Sequence, residues 1–226
     1  MFRKQSIILA ALALASFTAG AATSWDLAGD FQPPSNPNGA WTYGELQGPA
    51  LAFGALAWNA PTNSYGVGVA GQTFVYQNTG GFDFGIATGQ VSLESDWGNA
   101  AVRWTAPAAG AYSFSIAIGG TTASGPGGFG NNFASYAGVR VDGVGVVADS
   151  FADNVQRWNF TLALAAQATV DAFVLNRGFA AGGNTQAVFA VSAVPEPATA
   201  SLALLGVALA GGLARRRRAN RACACT

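Results

Sequence analysis

The sequence contains no histidine, a single lysine (Lys4), and only two cysteines, Cys223 and Cys225, both in its last four residues. Without histidine there is no Ser-His-Asp or Cys-His nucleophile and no imidazole metal ligand. With its only lysine at position 4, the rest of the chain has no Schiff-base amine and no Walker A phosphate loop. Cysteines confined to the tail leave the remainder without a disulfide framework or a thiolate zinc site. Charge is also scarce: 10% of 226 residues, eleven basic and eleven acidic. The zero balance hides an asymmetry, because residues 22–193 carry four arginines against ten acids, a net charge of −6. The compensating positive charge sits at the ends, on Arg3 and Lys4 and on Arg215, Arg216, Arg217, Arg218 and Arg221. With half the residues apolar and 12% aromatic, the chain has the means to fold and is not of the disordered class.

Both ends read as addresses. Met1-Phe2-Arg3-Lys4 precedes an apolar run from Ile7 to Ala15, and the small residues Ala19-Gly20-Ala21-Ala22 follow. A basic start, a short apolar stretch and small residues before a cleavage point make up a secretory signal peptide, here residues 1–21. The run is shorter than the roughly 20 residues a bilayer span requires. The opposite end, residues 194–226, reverses the order. Pro195-Glu196-Pro197 leads into an uncharged apolar segment, 198–214, and then into Arg215-Arg216-Arg217-Arg218 and a basic tail to residue 226. As a helix that segment measures roughly 25 Å, at the lower limit of a transmembrane span. Arginines directly behind it act as a stop-transfer signal, held on the cytoplasmic side. In an exported chain that reading is simpler than a nucleic-acid site.

Pro195-Glu196-Pro197, a hydrophobic span and an arginine cluster at the end of an exported protein resemble the PEP-CTERM sorting signal of Gram-negative bacteria. The resemblance covers about 30 residues and concerns destination only. It implies recognition by an exosortase, a membrane-embedded cysteine transpeptidase-like enzyme. Export by the Sec route, a transient stay in the inner membrane, removal of the tail and delivery to the cell surface or exopolysaccharide matrix would follow. The chain departs from the usual ending in extending from Ala219 to Thr226, with Cys223 and Cys225 in that extension.

Between the addresses, residues 22–193 form one block long enough for a sizeable core. Glycine makes up 26 of these residues, about twice its average share, which disfavours long helices and favours frequent turns. Large apolar residues take alternate places in Ala111–Ile118 and again in Arg157–Leu164, the period of a half-buried strand. Val139–Asp142 is a shorter case, whereas Thr169–Leu175 and Ala187–Val194 are apolar on both faces. Turn signals at Pro107–Gly110 and Asp142-Gly143 separate them. Many strands, frequent turns and no helical stretch predict an all-β body, a sandwich or jelly roll. Two segments, Asn36–Gly44 and Val102–Tyr112, resemble stretches of exported bacterial surface proteins. The second is also similar to strands of galactose-binding-like jelly rolls, which implies a sandwich and hints at glycans.

Candidate chemistry is limited. A carboxylate pair could be drawn from Glu45, Glu94 and Asp96, but loop acids meet by chance in any β protein. The glycine-rich stretch Gly125–Asn132 lacks the lysine and the strand–helix setting of a phosphate loop. Trp41, Tyr43 and Trp97, outside the clean alternating strands, are candidates for stacking on sugar rings, with the protein core as their other destination. Trp104 and Trp158 share strand faces with Val102 and Phe160 and belong to the core. Asp149, Asp153 and Asn154 lie close enough to share a calcium ion or simply to be solvated loop residues. The expected protein is non-enzymatic, needs no cofactor and has a structural or interaction role outside the cell. Its alternatives are a glycan-binding module of the exopolysaccharide matrix and a carboxylate-dependent hydrolase.

Overall fold

The computed structural model describes residues 23–66, 73–80, 86–95, 98–119, 136–151 (146–151 by backbone alone), 155–175 and 184–195. Apart from Pro195 these fall in one compact unit, Ala22–Val194. The strands run in chain order as β1 (Ser24–Asp26), β2 (Trp41–Gln47), β3 (Ala52–Ala55), β4 (Trp58–Asn59), β5 (Ser64–Gly66), β6 (Phe74–Gln77) and β7 (Val91–Glu94). They continue as β8 (Ala100–Thr105), β9 (Gly110–Gly119), β10 (Tyr136–Val141), β11 (Val144–Phe151), β12 (Gln156–Leu164), β13 (Thr169–Leu175) and β14 (Asn184–Val194). The only helical turn among the described residues is a 3-10 segment, Ala60–Thr62. No helix among them is long and apolar enough to cross a membrane. The leader 1–21 and the apolar segment 198–214 lie outside the described residues.

Two antiparallel sheets pack face to face. The first has eight strands in the order β12-β9-β14-β7-β6-β5-β4, with β1 alongside β14. The second has six, in the order β11-β10-β13-β8-β2-β3. From β7 to β10 the chain changes sheet at every step. Trp41, Tyr43, Val102 and Trp104 of the second sheet meet Val91, Leu93, Phe114, Ile116 and Phe189 of the first in one buried cluster. Edge-to-face aromatic contacts bridge the layers, Trp41 to Phe189 at 5.0 Å and Trp104 to Phe114 at 5.5 Å.

The alternation read from the sequence is the physical basis of this arrangement. Along β9, Tyr112, Phe114, Ile116 and Ile118 are buried, while Ser113, Ser115 and Ala117 occupy the other face. Period two makes each strand a two-sided object, and only the apolar side gains by leaving water. Central strand β13 differs: from Val170 to Leu175 every residue is buried on both faces, matching its unbroken apolar pattern. β14 has a similar composition, yet its burial alternates, with Ala187, Phe189 and Val191 inward and Val188 and Ala190 only partly covered. The outer side of the first sheet is open there, so composition alone did not fix exposure. The β10–β11 hairpin turns at Asp142-Gly143, both at positive φ (48° and 79°). A two-residue turn with both residues in that region matches strand twist, and glycine adopts it without steric cost.

The outer side of the second sheet is covered. Leu46, Ala101, Phe173 and Leu175 form a second buried cluster, with Leu51, Phe53 and Tyr136 packed on it. Gly44 makes room for the Phe53 ring: a Cβ there would collide with that ring and with the Gly54 carbonyl oxygen.

Candidate functional site

Trp41 and Tyr43 lie on β2 with their rings facing inward, 1% and 0% exposed. Of the two destinations left open for them, sugar platform and core, the first is therefore corrected. A ring packed on both faces has none to offer a sugar, and these two fill the layer between the sheets. Tyr43 stacks on Tyr65 at 4.4 Å and 13°. Burial raises the Tyr43 phenol above its ordinary value, and it pushes Tyr65, whose hydroxyl donates to the Ser35 carbonyl at 2.8 Å, up to about 12. The third ring, Trp97, lies outside the described residues, as do Asp153, Asn154 and the side chain of Asp149. No cluster of metal-ligating side chains occurs among the described residues.

Trp41 nevertheless marks the floor of a cleft of about 230 Å³, lined by Trp25, Asp30, Gln32, Asn38, Gly39, Ala40 and Trp41. Local hydrogen bonds build it. After β1 the chain turns through Asp26–Asp30, where Asp26 Oδ1 accepts from the Gly29 N–H at 2.7 Å and Asp30 Oδ2 accepts from the Asp26 N–H at 2.9 Å. The same Asp30 oxygen accepts from Trp41 Nε1 at 3.0 Å, joining the turn to β2. The loop that follows is held by Asn36, whose amide nitrogen donates to the Tyr43 and Leu56 carbonyls, each at 2.7 Å, while its oxygen accepts from the Tyr43 N–H at 2.9 Å. Asn38 donates to the Asp30 carbonyl and closes the wall. Trp25, which the sequence reading did not single out, is half-buried at this cleft, its ring edge-on to Trp104 at 5.3 Å. Its position beside the leader, in a strand of three residues, left no periodic signal to find it by.

A second cleft, about 370 Å³, opens on the outer side of the second sheet, lined by residues including Leu51, Phe53, Arg103, Arg140, Asp142 and Thr169. At its floor lies a largely buried charge cluster. Arg103 grips Asp171 with two bonds of 2.7 and 2.9 Å, and Arg140 Nε donates to the same carboxylate at 2.8 Å. Arg140 also donates to the Leu51 carbonyl at 2.7 Å, and the Arg103 guanidinium lies 4.0 Å from the centre of the Phe53 ring. Cross-strand register aligns them: Arg103 opposes Asp171, and Asp171 opposes Arg140. With Asp171 fully buried, its charge is carried by hydrogen bonds and opposite charge rather than by water.

The carboxylate candidates do not converge on either cleft. Glu45 accepts a bond from Gln47, Glu94 is 2% exposed inside the fold, and Asp96 lies outside the described residues. The Trp25 cleft is lined by one carboxylate, Asp30, where glycoside hydrolysis uses two. Its inventory is an aromatic face, a carboxylate and two side-chain amides, groups that suit hydroxyls and an apolar ring face.

Comparison with known proteins places the other end of the chain. Residues 193–218 match the PEP-CTERM protein-sorting motif. The match takes in Pro195-Glu196-Pro197, the apolar segment and Arg215–Arg218. The PEP-CTERM motif marks an exported protein, processed by an exosortase and anchored transiently in the membrane before release at the surface. Of its parts, only the beginning, up to Pro195, belongs to the described residues. No curated protein matches the chain in sequence. Among solved structures, a family 35 carbohydrate-binding module from Clostridium thermocellum is similar at 18% identity and a TM-score of 0.29, over 54% of this chain and 92% of that one. An exo-beta-1,3-galactanase from Phanerochaete chrysosporium is similar at 12% identity and a TM-score of 0.33, over 76% of this chain and 29% of the enzyme. The secreted serine protease VesC from Vibrio cholerae is similar at 14% identity and a TM-score of 0.31, over 55% and 24%. The chain thus spans under a third of the two enzymes' length. Likenesses at these scores carry no conclusion about what the chain binds or does.

Proposed function

We propose that this chain is an exported β-sandwich with a non-catalytic role at the cell surface or in the extracellular matrix of a Gram-negative bacterium. An exosortase-type enzyme that recognises Pro195-Glu196-Pro197 delivers it there. The observation that carries this reading is the PEP-CTERM match at residues 193–218, which begins where β14 ends at Val194. β14 has β9 on one side and β7 and β1 on the other, and no strand among the described residues lies beyond it. Loss of everything after the motif therefore removes nothing from either sheet as described. In this reading residues 1–21 direct export by the Sec route, 198–214 hold the chain in the inner membrane, and Arg215–Arg218 keep its end on the cytoplasmic side. The test replaces Pro195-Glu196-Pro197 with three alanines in the native host. The expected outcome is a protein that is still exported but stays with the membrane fraction, whereas release equal to that of the parent would refute the reading.

A second reading, glycan binding within the exopolysaccharide matrix, is favoured by one observation: the partly buried Trp25 ring shares a cleft with Asp30, Gln32 and Asn38. An apolar sugar face stacks on the ring while the carboxylate and amides take hydroxyls. Affinity electrophoresis in gels containing the host's exopolysaccharide checks it. Trp25→Ala is expected to abolish the mobility shift at a temperature well below its melting point, where unchanged circular dichroism shows that the variant is folded. Retention unchanged by the substitution argues against the cleft.

A further inference from the structure

We infer that the cleft on the outer side of the second sheet is a binding site for a carboxylate carried on a hydroxylated ligand, the chemistry of an acidic saccharide. Residues 22–193 hold four arginines in a body of net charge −6, and two of them, Arg103 and Arg140, converge on this one cleft. Neutralising Asp171 needs only one. Arg103 alone satisfies both of its oxygens, through Nε at 2.7 Å and Nη2 at 2.9 Å. Arg140 brings a second positive charge to the same carboxylate, with a side chain only 7% exposed. The cleft floor therefore keeps one positive charge in excess, where little water reaches it and an anion would be favoured.

The unused donors lie at the cleft. Arg140 spends Nε on Asp171 and Nη1 on the Leu51 carbonyl. Arg103 Nη1 and Arg140 Nη2 have no hydrogen-bond partner among the described residues, and neither atom is sealed from solvent. Planar guanidinium groups with fixed N–H directions suit the two oxygens of a carboxylate. Both groups are already held in place. Asp171 grips each of them, the Phe53 ring lies 4.0 Å from the Arg103 guanidinium, and Leu51, which holds Arg140, is fixed by its own N–H on the Gly48 carbonyl at 3.0 Å. A ligand would have little left to order, which favours affinity.

The rim narrows the ligand further. Asp142 is exposed at the hairpin turn and uses Oδ1 on the Thr169 N–H at 2.8 Å, while its Oδ2 has no partner among the described residues. Exposed to water, its charge is screened and offsets the floor less than buried Asp171 does. It is an acceptor for a hydroxyl and a like charge against a second carboxylate. A positive floor below one carboxylate acceptor fits a single carboxylate followed by hydroxyls. The volume, about 370 Å³, is within the range of small-molecule sites. This site shares no lining residue with the Trp25 cleft and goes beyond the reading built on it.

Affinity electrophoresis of the full chain in detergent, in gels holding polygalacturonate or its methyl ester, tests the assignment. The ester keeps the sugar and removes the charge, so the parent is expected to be retarded by the acid form and not by the ester. Ala52 lines the cleft, is exposed and takes no part in the charge cluster. Ala52→Glu should weaken binding roughly threefold, whereas Ser115→Glu, the same charge change on the exposed face of the other sheet, should leave it unchanged. Arg103→Gln should weaken it roughly tenfold or more, read well below its melting point where circular dichroism shows a folded variant. Trp25→Ala should bind the acid form as the parent does. Absence of retardation by the acid form overturns the proposal, and so does equal retardation by the ester. Binding indifferent to Ala52→Glu overturns it as well and assigns retention to the arginines at 215–218. Equal weakening by Ser115→Glu, or loss in Trp25→Ala, places the binding elsewhere and likewise overturns it.

Discussion

The two sheets share one core but treat their outer sides in opposite ways. On the first sheet, Ser115, Asn159, Thr161 and Ser192 stand exposed in a polar surface whose one charge on β12 is Arg157, with Ser113 and Thr161 hydrogen-bonded at 2.9 Å. On the second sheet the corresponding side is largely covered: Phe173 and Leu175 are buried beside Asp171, which is held by two arginines at the floor of a cleft. Both sheets are amphipathic toward the common core, so the difference lies wholly in what the second face carries. An open face tolerates hydroxyls because water satisfies them. A covered face must provide every polar group with a partner inside the protein, and a charge most of all.

The largest expected effects attack that covered side and the core. Asp171→Ala leaves two arginines without their shared carboxylate, and should cost about 3–5 kcal/mol in urea unfolding. A loss below about 1 kcal/mol would mean that water reaches the site and the contrast between the faces is false. Trp41→Ala should cost a similar amount, about 3–5 kcal/mol, because its ring fills the layer between the sheets. Were its effect confined to ligand binding with the melt unchanged, the ring would belong to the cleft and not to the core.

An intermediate effect appears in alkaline solution. An unfolded tyrosine ionises near pH 10, whereas burial pushes Tyr65 up to about 12 and Tyr43 higher. The folded state thus binds more protons than the unfolded one above pH 10, so stability from these groups is full below that value and falls as pH rises. Unfolding curves between pH 8 and pH 11.5 should show that decline, with a shallower slope in Tyr65→Phe. An identical slope in that variant would remove Tyr65 as its source. The smallest effects belong to the open side. Ser115→Ala and Ser192→Ala should each change stability by no more than about 0.5 kcal/mol. Thermal melts showing several times that cost would reveal that the first sheet's outer face is covered after all.

Much of the architecture was legible from local pattern. Alternation in β9 and β12 marked one-sided strands, the apolar run of β13 marked a strand buried on both sides, and Asp142-Gly143 marked the hairpin turn. These features depend on neighbours within a few residues, where side-chain period and turn chemistry act. The sorting motif was equally legible, since it is a linear signal spanning residues 193–218. What lies in β14 was read less well, because Val188 and Ala190 look like core residues until the open face beside them is known.

The sequence by itself therefore determined the strand class, the principal turns and the export address. Only the tertiary structure decided which residues share a site. Arg103 and Arg140 reach Asp171 across 68 and 31 residues of chain, a meeting set by strand order and register and invisible to any local period. Tertiary packing likewise sent Trp41 and Tyr43 into the core and brought Trp25, Asp30 and Asn38 around one cleft. The physical reason is the same in each case. Local chemistry selects the strand and its apolar side, but what covers that side is chosen by strands far away in the sequence.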